Sequence, residues 1–150
     1  MAFPVVTYKK PLPRPTGDTA PFWEFCKKHE LRFQRCSKCK TFRHYPRPLC
    51  ASCGSFDYEW VQVAPKGKVH TWVTAYRAFH PGFEGELPVP IVIVDIDEAP
   101  GVRIMSNFND GTKPEQVQVG LAVNIVFDDI GVADGKGGQT DYSLPKIQRA

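Results

Sequence analysis

The chain has no long hydrophobic run and no leader-like segment. No stretch of about 18 apolar residues occurs in its 150 residues, so the sequence predicts neither a membrane-spanning helix nor a membrane partner. Residues 1–6 contain no charged segment followed by an apolar one, and therefore show no signal peptide. We accordingly expect a cytoplasmic protein, because thiols stay reduced there and paired cysteines hold metal more often than they form disulfides.

The sequence also lacks the short motifs of common catalytic sites. It contains no G-x-S-x-G nucleophile elbow, no H-E-x-x-H motif and no phosphate-binding glycine loop. Its four histidines are scattered, and no two of them have the spacing of metal ligands. The sequence therefore predicts no catalytic residue, and a chain that is not an enzyme by itself.

Two Cys-x-x-Cys pairs are the most specific feature that is present, Cys36 with Cys39 and Cys50 with Cys53. A spacing of two residues lets one turn aim both sulfurs at a single ion, and two such pairs supply the four thiolates of a structural zinc site. A closed shell leaves no position for substrate or water, so the pattern predicts a structural role. The alternatives are a redox dithiol, disfavoured by two matched pairs, and iron, disfavoured only by the lack of proline within the pairs.

Two other groups have both a functional and a structural interpretation. Cys26 is either a nucleophile or a small apolar residue on a helix face, and burial is favoured because no base can be assigned to it. Asp95, Asp97 and Glu98 form either a carboxylate site or the polar end of a strand. The second interpretation is favoured, because alternation places Asp95 and Asp97 on one face beside a tight turn.

Positive charge is concentrated in one segment of a chain whose formal net charge is +3. Residues 27–47 carry +7 and the remainder carries −4, because one acid, Glu30, accompanies eight basic residues there: Lys27, Lys28, Arg32, Arg35, Lys38, Lys40, Arg43 and Arg47. Such a field suits an anionic partner. Solvated side chains around a small metal module explain it equally well.

The chain divides into four predicted parts: an extended arm (1–17), an N-terminal helix (18–30), a zinc ribbon (31–62) and a barrel (63–150). Asp18 or Thr19 can cap the helix, whose Phe22, Phe25 and Cys26 share one apolar face. That face must pack on the following domain or on another subunit. The ribbon has too little apolar content to fold without metal.

Period-two patterns predict five strands in the last part, after a turn or bulge at Gly67, with a glycine-rich loop at 131–138. We therefore expect a mainly β protein that ends in a five-stranded OB-fold barrel. The predicted strands are 69–76, 91–96, 102–108, 121–127 and 143–147.

Several sequence blocks between about residues 20 and 130 resemble one known family, the acyl-CoA-associated zinc-ribbon/OB-fold proteins, formerly a domain of unknown function. One departure is the turn at 64–67, which keeps a single glycine where the family often has more. The matching blocks are Phe22-Trp23, Leu31-Arg32-Phe33-Gln34-Arg35-Cys36, Cys53-Gly54-Ser55, Gly67-Lys68-Val69-His70-Thr71-Trp72-Val73-Thr74, Val94-Asp95-Ile96-Asp97-Glu98, Gly101-Val102-Arg103 and Val119-Gly120-Leu121-Ala122-Val123-Asn124-Ile125-Val126-Phe127.

The resemblance implies a rubredoxin-like zinc ribbon with structural Zn²⁺ and a non-catalytic accessory subunit. Such subunits form hetero-oligomers with thiolase-fold enzymes (thiolases, acyltransferases or retro-aldolases), position them and help to shape the site for CoA or acyl-CoA.

Within this interpretation, two sets of residues have hypothetical roles. We expect four cations of the ribbon to contact the CoA phosphates, or else to form salt bridges with the partner: Lys38, Lys40, Arg43 and Arg47. We expect aromatic residues of the helix and of the 79–88 loop, a candidate lid, to contact the partner: Phe22, Trp23, Phe79 and Phe83.

A single-stranded nucleic-acid-binding protein is the alternative, because zinc ribbons and OB-folds both occur in that class. Trp72, Tyr76 and Phe108 are the candidate stacking residues, although a role in the barrel core or a subunit interface is favoured. The net negative charge of the barrel half opposes binding of backbone phosphates there.

Overall fold

The computed structural model describes residues 2–150, so the first residue of the predicted arm lies outside the described residues. No helix within this range has the length and apolar character needed to cross a membrane. The mainly β fold class with an N-terminal helix is confirmed. In chain order the elements are α1 (Ala20–Lys27), β1 (Arg32–Cys36), β2 (Phe42–Arg43), β3 (Tyr58–Gln62), β4 (Lys66–Ala75), β5 (Val89–Ile96), β6 (Arg103–Asn107), β7 (Ala122–Ala133) and β8 (Gln139–Arg149), with 3-10 turns at Gly17–Thr19, Pro81–Glu86 and Pro114–Gln116.

The single α-helix of the described residues lies between the ribbon and the barrel. Thr19 is its N-cap residue and Pro21 lies in its first turn, where a missing N–H is tolerated. Phe22 and Cys26 are buried, and the ring of Phe25 lies 5.5 Å from that of Trp60, centroid to centroid. The helix contacts both β1 and β8. Its apolar face is therefore covered largely within the chain.

The ribbon is a three-stranded antiparallel sheet in the order β2-β1-β3. Cys36 ends β1 opposite Tyr58, and Arg35 faces Phe42 on the other side. The sheet thus places the first cysteine pair at the end of its central strand, and the long connection from β2 to β3 carries the second pair.

The five remaining strands form a curled antiparallel sheet in the order β6-β5-β4-β7-β8. A parallel bridge between Phe108 and Ile147 connects the end of β6 with β8. The Asn109 N–H donates to the Ile147 carbonyl at 3.1 Å, and the Ser106 hydroxyl donates to the Pro145 carbonyl at 2.7 Å. These contacts bring the two outer strands together as in an OB-fold barrel, which confirms the predicted architecture.

One hydrophobic core joins the three parts. Strand β5 alternates regularly, with Pro90, Val92, Val94 and Ile96 buried inside the barrel. The same cluster of contacting buried residues includes Phe33 of the ribbon as well as residues of α1. The core sits where the helix, the ribbon and the barrel meet, so the three parts pack as one unit.

Two glycines differ in role from the sequence prediction. Gly131 lies within β7, because β7 and β8 extend much further than predicted and leave only residues 134–138 as the connecting loop. Its N–H donates a hydrogen bond to the Pro4 carbonyl of the N-terminal arm, and its carbonyl accepts one from the Val6 N–H. Gly67 lies inside β4, where an added Cβ would stand 2.6 Å from Val94 Cγ1, so it permits close approach of two strands. The bulge of β4 follows at His70.

Candidate metal centre

The structure brings the four paired cysteines together at one end of the ribbon. Their four sulfur atoms lie within 4.8 Å of one another. The sulfurs of Cys36 and Cys53 are 3.6 Å apart, as are those of Cys39 and Cys50, so the close contacts run between the two pairs. These distances are far longer than the roughly 2.05 Å of a disulfide bond.

This arrangement fits a structural zinc ion. Sulfurs about 2.3 Å from a tetrahedral zinc stand roughly 3.8 Å apart, close to the observed separations. Four thiolates complete the coordination shell, so an ion bound here would hold the two turns together and present no open position to a substrate. Cys36 and Cys50 would hold it from the buried side, and Cys39 and Cys53 from the exposed side.

The two cysteine turns have the same backbone geometry. The N–H of Lys40 donates to the Cys36 carbonyl at 3.0 Å, and the N–H of Gly54 donates to the Cys50 carbonyl at 2.9 Å. Both donors have a positive φ, of 62° and 73°. In the first turn the Cys39 N–H also points at Cys36 Sγ, 3.5 Å away, and this bond lowers the pKa of the Cys36 thiol. The backbone therefore favours the thiolate form of Cys36, which is the form that a metal requires.

A buried glutamine holds the loop between the two turns. Gln34 of β1 is 0% exposed, and its Oε1 accepts hydrogen bonds from Arg43 Nε at 2.8 Å and from the Arg47 N–H at 2.9 Å. One side chain of the central strand thus fixes two points of the chain that leads to Cys50. Sequence reasoning missed Gln34, since a glutamine in a short strand carries no signal of its burial.

The four predicted CoA contacts differ in exposure. Arg43 is a correction: its two terminal nitrogens are buried without a hydrogen-bond partner, and its guanidinium lies over the Tyr58 ring at 5.1 Å. It therefore cannot present these donors to a phosphate. Lys38 and Arg47 are exposed, whereas exposed Lys40 lies 3.7 Å from Glu59 Oε1. The role of these three remains a prediction.

The predicted partner contacts also differ in their exposure to solvent. Phe22 is only 3% exposed and packs on Phe33 and His44, so its prediction as a surface contact is wrong. Its side chain completes the shared core instead. Trp23 and Phe83 are half-buried, and Phe79 is 91% exposed. For these three the prediction stands.

The other candidate chemical groups have structural roles. Cys26 is buried, and burial raises the pKa of its thiol to about 12, which leaves it protonated and unreactive. Asp95 binds His70 Nδ1 and Arg103 Nε, each at 2.8 Å, and the Glu98 carboxylate accepts from the Ala64 N–H at 2.7 Å. The carboxylate cluster therefore ties strands and turns together.

The candidate stacking residues do not form a platform. Phe108 is buried beside β8, and Trp72 lies on the inward side of β4 opposite Val92. Tyr76 alone of the three is strongly exposed. Stacking of successive bases needs several exposed rings on one face, so this observation disfavours the nucleic-acid alternative.

Two family models cover most of the chain. The ChsH2 rubredoxin-like zinc ribbon domain matches residues 23–59, and the ChsH2 C-terminal OB-fold domain matches residues 60–128. A solved structure of an Ltp2-ChsH2(DUF35) aldolase contains a chain with 32% identity and a TM-score of 0.74, and the match covers 92% of this chain and 98% of that chain. The chain belongs to the ChsH2 (DUF35) family. The family resemblance and the zinc-ribbon assignment of the four cysteines are thereby confirmed.

Curated relatives of this ChsH2 (DUF35) chain include three proteins. A probable enoyl-CoA hydratase alpha subunit of Thermomonospora curvata is 37% identical over 76% of this chain and 34% of its own length. A DUF35 domain-containing scaffold protein of Pyrococcus furiosus is 37% identical over 61% of this chain and 64% of its own length. The 3-oxo-4,17-pregnadiene-20-carboxyl-CoA hydratase alpha subunit of Mycobacterium tuberculosis is 32% identical over 78% and 36%. The chain thus spans about a third of the length of both hydratase subunits.

A second solved structure supports the fold alone. It is a DUF35-family protein of unknown function from Sulfolobus solfataricus, with 19% identity and a TM-score of 0.54. The match covers 71% of this chain and 75% of that one.

Proposed function

We propose that this chain is a non-catalytic accessory subunit that binds a thiolase-fold enzyme acting on acyl-CoA, positions it and helps to shape its CoA site. The similarity to the ChsH2 chain of the Ltp2-ChsH2(DUF35) aldolase carries the proposal, because it extends over both the ribbon and the barrel. The names of the relatives, two hydratase alpha subunits and a scaffold protein, agree with a role as one subunit of an assembly.

The geometry of the candidate sites supports a structural role. The four ribbon sulfurs are arranged to enclose a metal ion completely, and Cys26 is buried with a protonated thiol. Asp95 is held between two basic side chains. Each of these groups stabilises the fold, and the partner would carry out the carbon–carbon chemistry. We place the complex in the cytoplasm, where reduced thiols favour metal binding.

Co-expression with the thiolase-fold proteins of the same organism tests the proposal. We expect one of them to co-purify with this chain at a fixed ratio, and to cleave or form its acyl-CoA product at least tenfold faster in the complex than alone. This chain by itself should show no turnover. Full activity of every thiolase-fold protein without this chain, and no co-purification, would contradict the proposal.

A contact with the CoA phosphates is the finer part of the proposal and has its own test. Lys38 and Arg47 are exposed cations of the metal loop, so charge reversal at both positions should repel the pyrophosphate and 3′-phosphate. In the complex, K38E/R47E should raise KM for the CoA ester severalfold. KM for an N-acetylcysteamine thioester, which lacks phosphates, should not change.

The matched control is K136E, a reversal of an exposed lysine on the β7–β8 loop. An equal rise in KM for both thioesters, or a similar rise in KM for the CoA ester in K136E, would contradict the phosphate contact. Failure of the K38E/R47E complex to assemble would instead assign these cations to salt bridges with the partner.

A further inference from the structure

The outer face of β4, β5 and β6 carries a largely apolar surface. The strand register places Thr71, Ile93 and Met105 in one row across the sheet, and Val73, Ile91 and Asn107 in the next. Paired residues of antiparallel strands point to the same side, and the alternate residues of β5 fill the barrel interior. Met105 is 74% exposed and Val73 is 63% exposed. We use the name barrel patch for this surface together with Phe79 and Phe83 of the β4–β5 connection.

The β4–β5 connection extends the barrel patch. Phe79 projects almost fully into solvent, and Phe83 follows it in the short 3-10 turn. Between this loop and the sheet lies an open cleft of about 320 Å³, with Phe83, Leu87, Ile91 and Met105 among its walls. The cleft is large enough for one or two apolar side chains, which is the kind of pocket that interface anchors occupy.

Basic groups border the opposite end of the barrel patch. Lys68, Asp95 and Arg103 form the next row of the sheet, and the bulged His70 also reaches Asp95. The single carboxylate of this row is shared between His70 and Arg103 at 2.8 Å each, while Lys68 is exposed. Lys68 and Arg103 thus outnumber the one carboxylate of this row, whereas Asp97 and Glu98 follow at the end of β5. The two cations suit carboxylates on an opposing surface.

The barrel patch has an apolar end and a basic end, and this difference indicates which kind of protein can bind to it. A two-fold contact between two copies of the chain would set the basic border either against itself or against the apolar loop of the other copy. The first pairing is repulsive, and the second buries charge against apolar groups. A different protein, with an apolar side chain at one end and carboxylates at the other, fits both ends of the barrel patch at once.

We propose that the barrel patch is the docking surface for the thiolase-fold subunit, which inserts an apolar side chain into the cleft and places carboxylates opposite Arg103. This inference rests on the proposed function. An apolar surface with several strongly exposed large side chains marks an interaction site in a soluble protein, and apolar centres with polar borders are typical of protein interfaces. Phe79 and Phe83, expected from the sequence to contact a partner, belong to this surface.

Binding measurements with the purified, zinc-loaded chain and its co-purifying thiolase-fold subunit test the inference. The variants V73E and M105E each place a charge on an exposed position of the barrel patch. We expect the Kd of each to rise at least tenfold, and R103E mainly to slow association. The matched control V119E changes a valine that is 65% exposed but lies outside the barrel patch, and it should change Kd less than twofold. Zinc content and thermal midpoint show whether each variant is folded.

The outcomes separate this inference from the proposed function. Unchanged affinity of folded V73E and M105E would overturn the docking surface while the accessory role stands. A loss of affinity as large in V119E would also overturn it. If sedimentation shows that the wild-type chain self-associates and that M105E is monomeric, the occupant is a second copy. If the wild-type chain binds no thiolase-fold subunit, the proposed function and this inference both fail.

Discussion

At the scale of single residues, Gln34 is the clearest case of a side chain whose role depends on its position in the sheet. Its side chain is buried between β2 and the loop that follows, because it accepts hydrogen bonds from Arg43 of β2 and from Arg47 of that loop. The terminal nitrogens of Arg43 are buried, and its guanidinium lies over the Tyr58 ring without a carboxylate within 4.0 Å among residues 2–150. The side chains behind the metal loop are therefore part of its support.

Replacement of Gln34 should loosen the metal loop. Q34L leaves Arg43 Nε and the Arg47 N–H without their acceptor, at a cost of about 2 kcal/mol or more. We expect zinc to transfer to a chromogenic chelator roughly tenfold faster than in the wild-type chain. Q34E keeps an acceptor oxygen and should release zinc more slowly than Q34L. The control Q62L, on an exposed position of β3, should leave the rate unchanged, and equal rates in Q34L and the wild type would contradict the prediction.

His44 makes the stability of the ribbon depend on pH. Its ring lies 5.0 Å from that of Phe22 and 5.3 Å from that of Phe33, and burial lowers the pKa of His44 from 6.5 to about 4. The unfolded chain therefore takes up this proton more readily than the folded chain. Stability is complete above pH 6.5 and is lost as the pH falls towards 4, by about 2 kcal/mol at pH 5.

Urea unfolding at pH 7.5 and pH 5.0 measures this effect. Protonation of the metal thiolates also weakens the fold in acid, so the informative quantity is the difference between the wild type and H44Q. The unfolding free energy of H44Q should fall by about 2 kcal/mol less between the two pH values. Identical pH dependence of the two proteins would show that His44 is not the titrating group.

At the scale of elements, the N-terminal arm is attached to the barrel rather than free. The Val6 N–H donates to the Gly131 carbonyl and the Gly131 N–H to the Pro4 carbonyl, both at 2.9 Å. Further along the arm, Lys10 forms an ion pair with Glu86 and lies over the Phe83 ring at 5.2 Å. The arm thus crosses from the β7–β8 hairpin to the β4–β5 loop.

G131A should detach the start of the arm. An added Cβ would stand 2.8 Å from the Phe3 carbonyl oxygen and 2.9 Å from Gln139 Nε2, so the arm must move away. We expect the Val6 amide to lose its protection from hydrogen exchange, with a loss of stability of roughly 1–3 kcal/mol. A133V, at the exposed end of the same strand, is the control, and a protected Val6 amide in G131A would count against this attachment.

At the scale of the whole molecule, the metal centre and the barrel are stabilised differently but share one core. Phe33 of the ribbon packs on Phe22 of α1 with ring centroids 6.2 Å apart, and both belong to the cluster that fills the barrel. The barrel adds its own interior residues from β5. The ribbon, in contrast, is small and depends on its four cysteines.

Removal of zinc should unfold one part of the chain before the other. After treatment with a strong chelator, we expect the amides of β1 and β3 to exchange rapidly, while those of β5 stay protected because their strand is buried. Replacement of all four metal ligands by serine should give the same pattern. Equal loss of protection in β5 would show that the barrel cannot fold without the ribbon, and unchanged protection in β1 would show that metal is not needed.

The sequence alone determined the features that depend on spacing and alternation. Two Cys-x-x-Cys pairs specify a metal turn locally, whatever surrounds them, and period-two patterns identified the region of every barrel strand. The ends of β7 and β8 escaped prediction because Gly131 suggests a loop until the arm is seen against it. Likewise, Phe22 looks like an exposed aromatic of a short helix until β1 covers it.

Only the tertiary structure decided which side chains are available. Arg43 has the charge of a phosphate ligand, but strand pairing buries its terminal nitrogens, whereas Val73 and Met105 look like core residues and lie outside. Burial and exposure arise from contacts between residues far apart in the chain, so local patterns do not encode them individually. The cysteines therefore identify the metal site from sequence, and the packing of the barrel shows where another chain can dock.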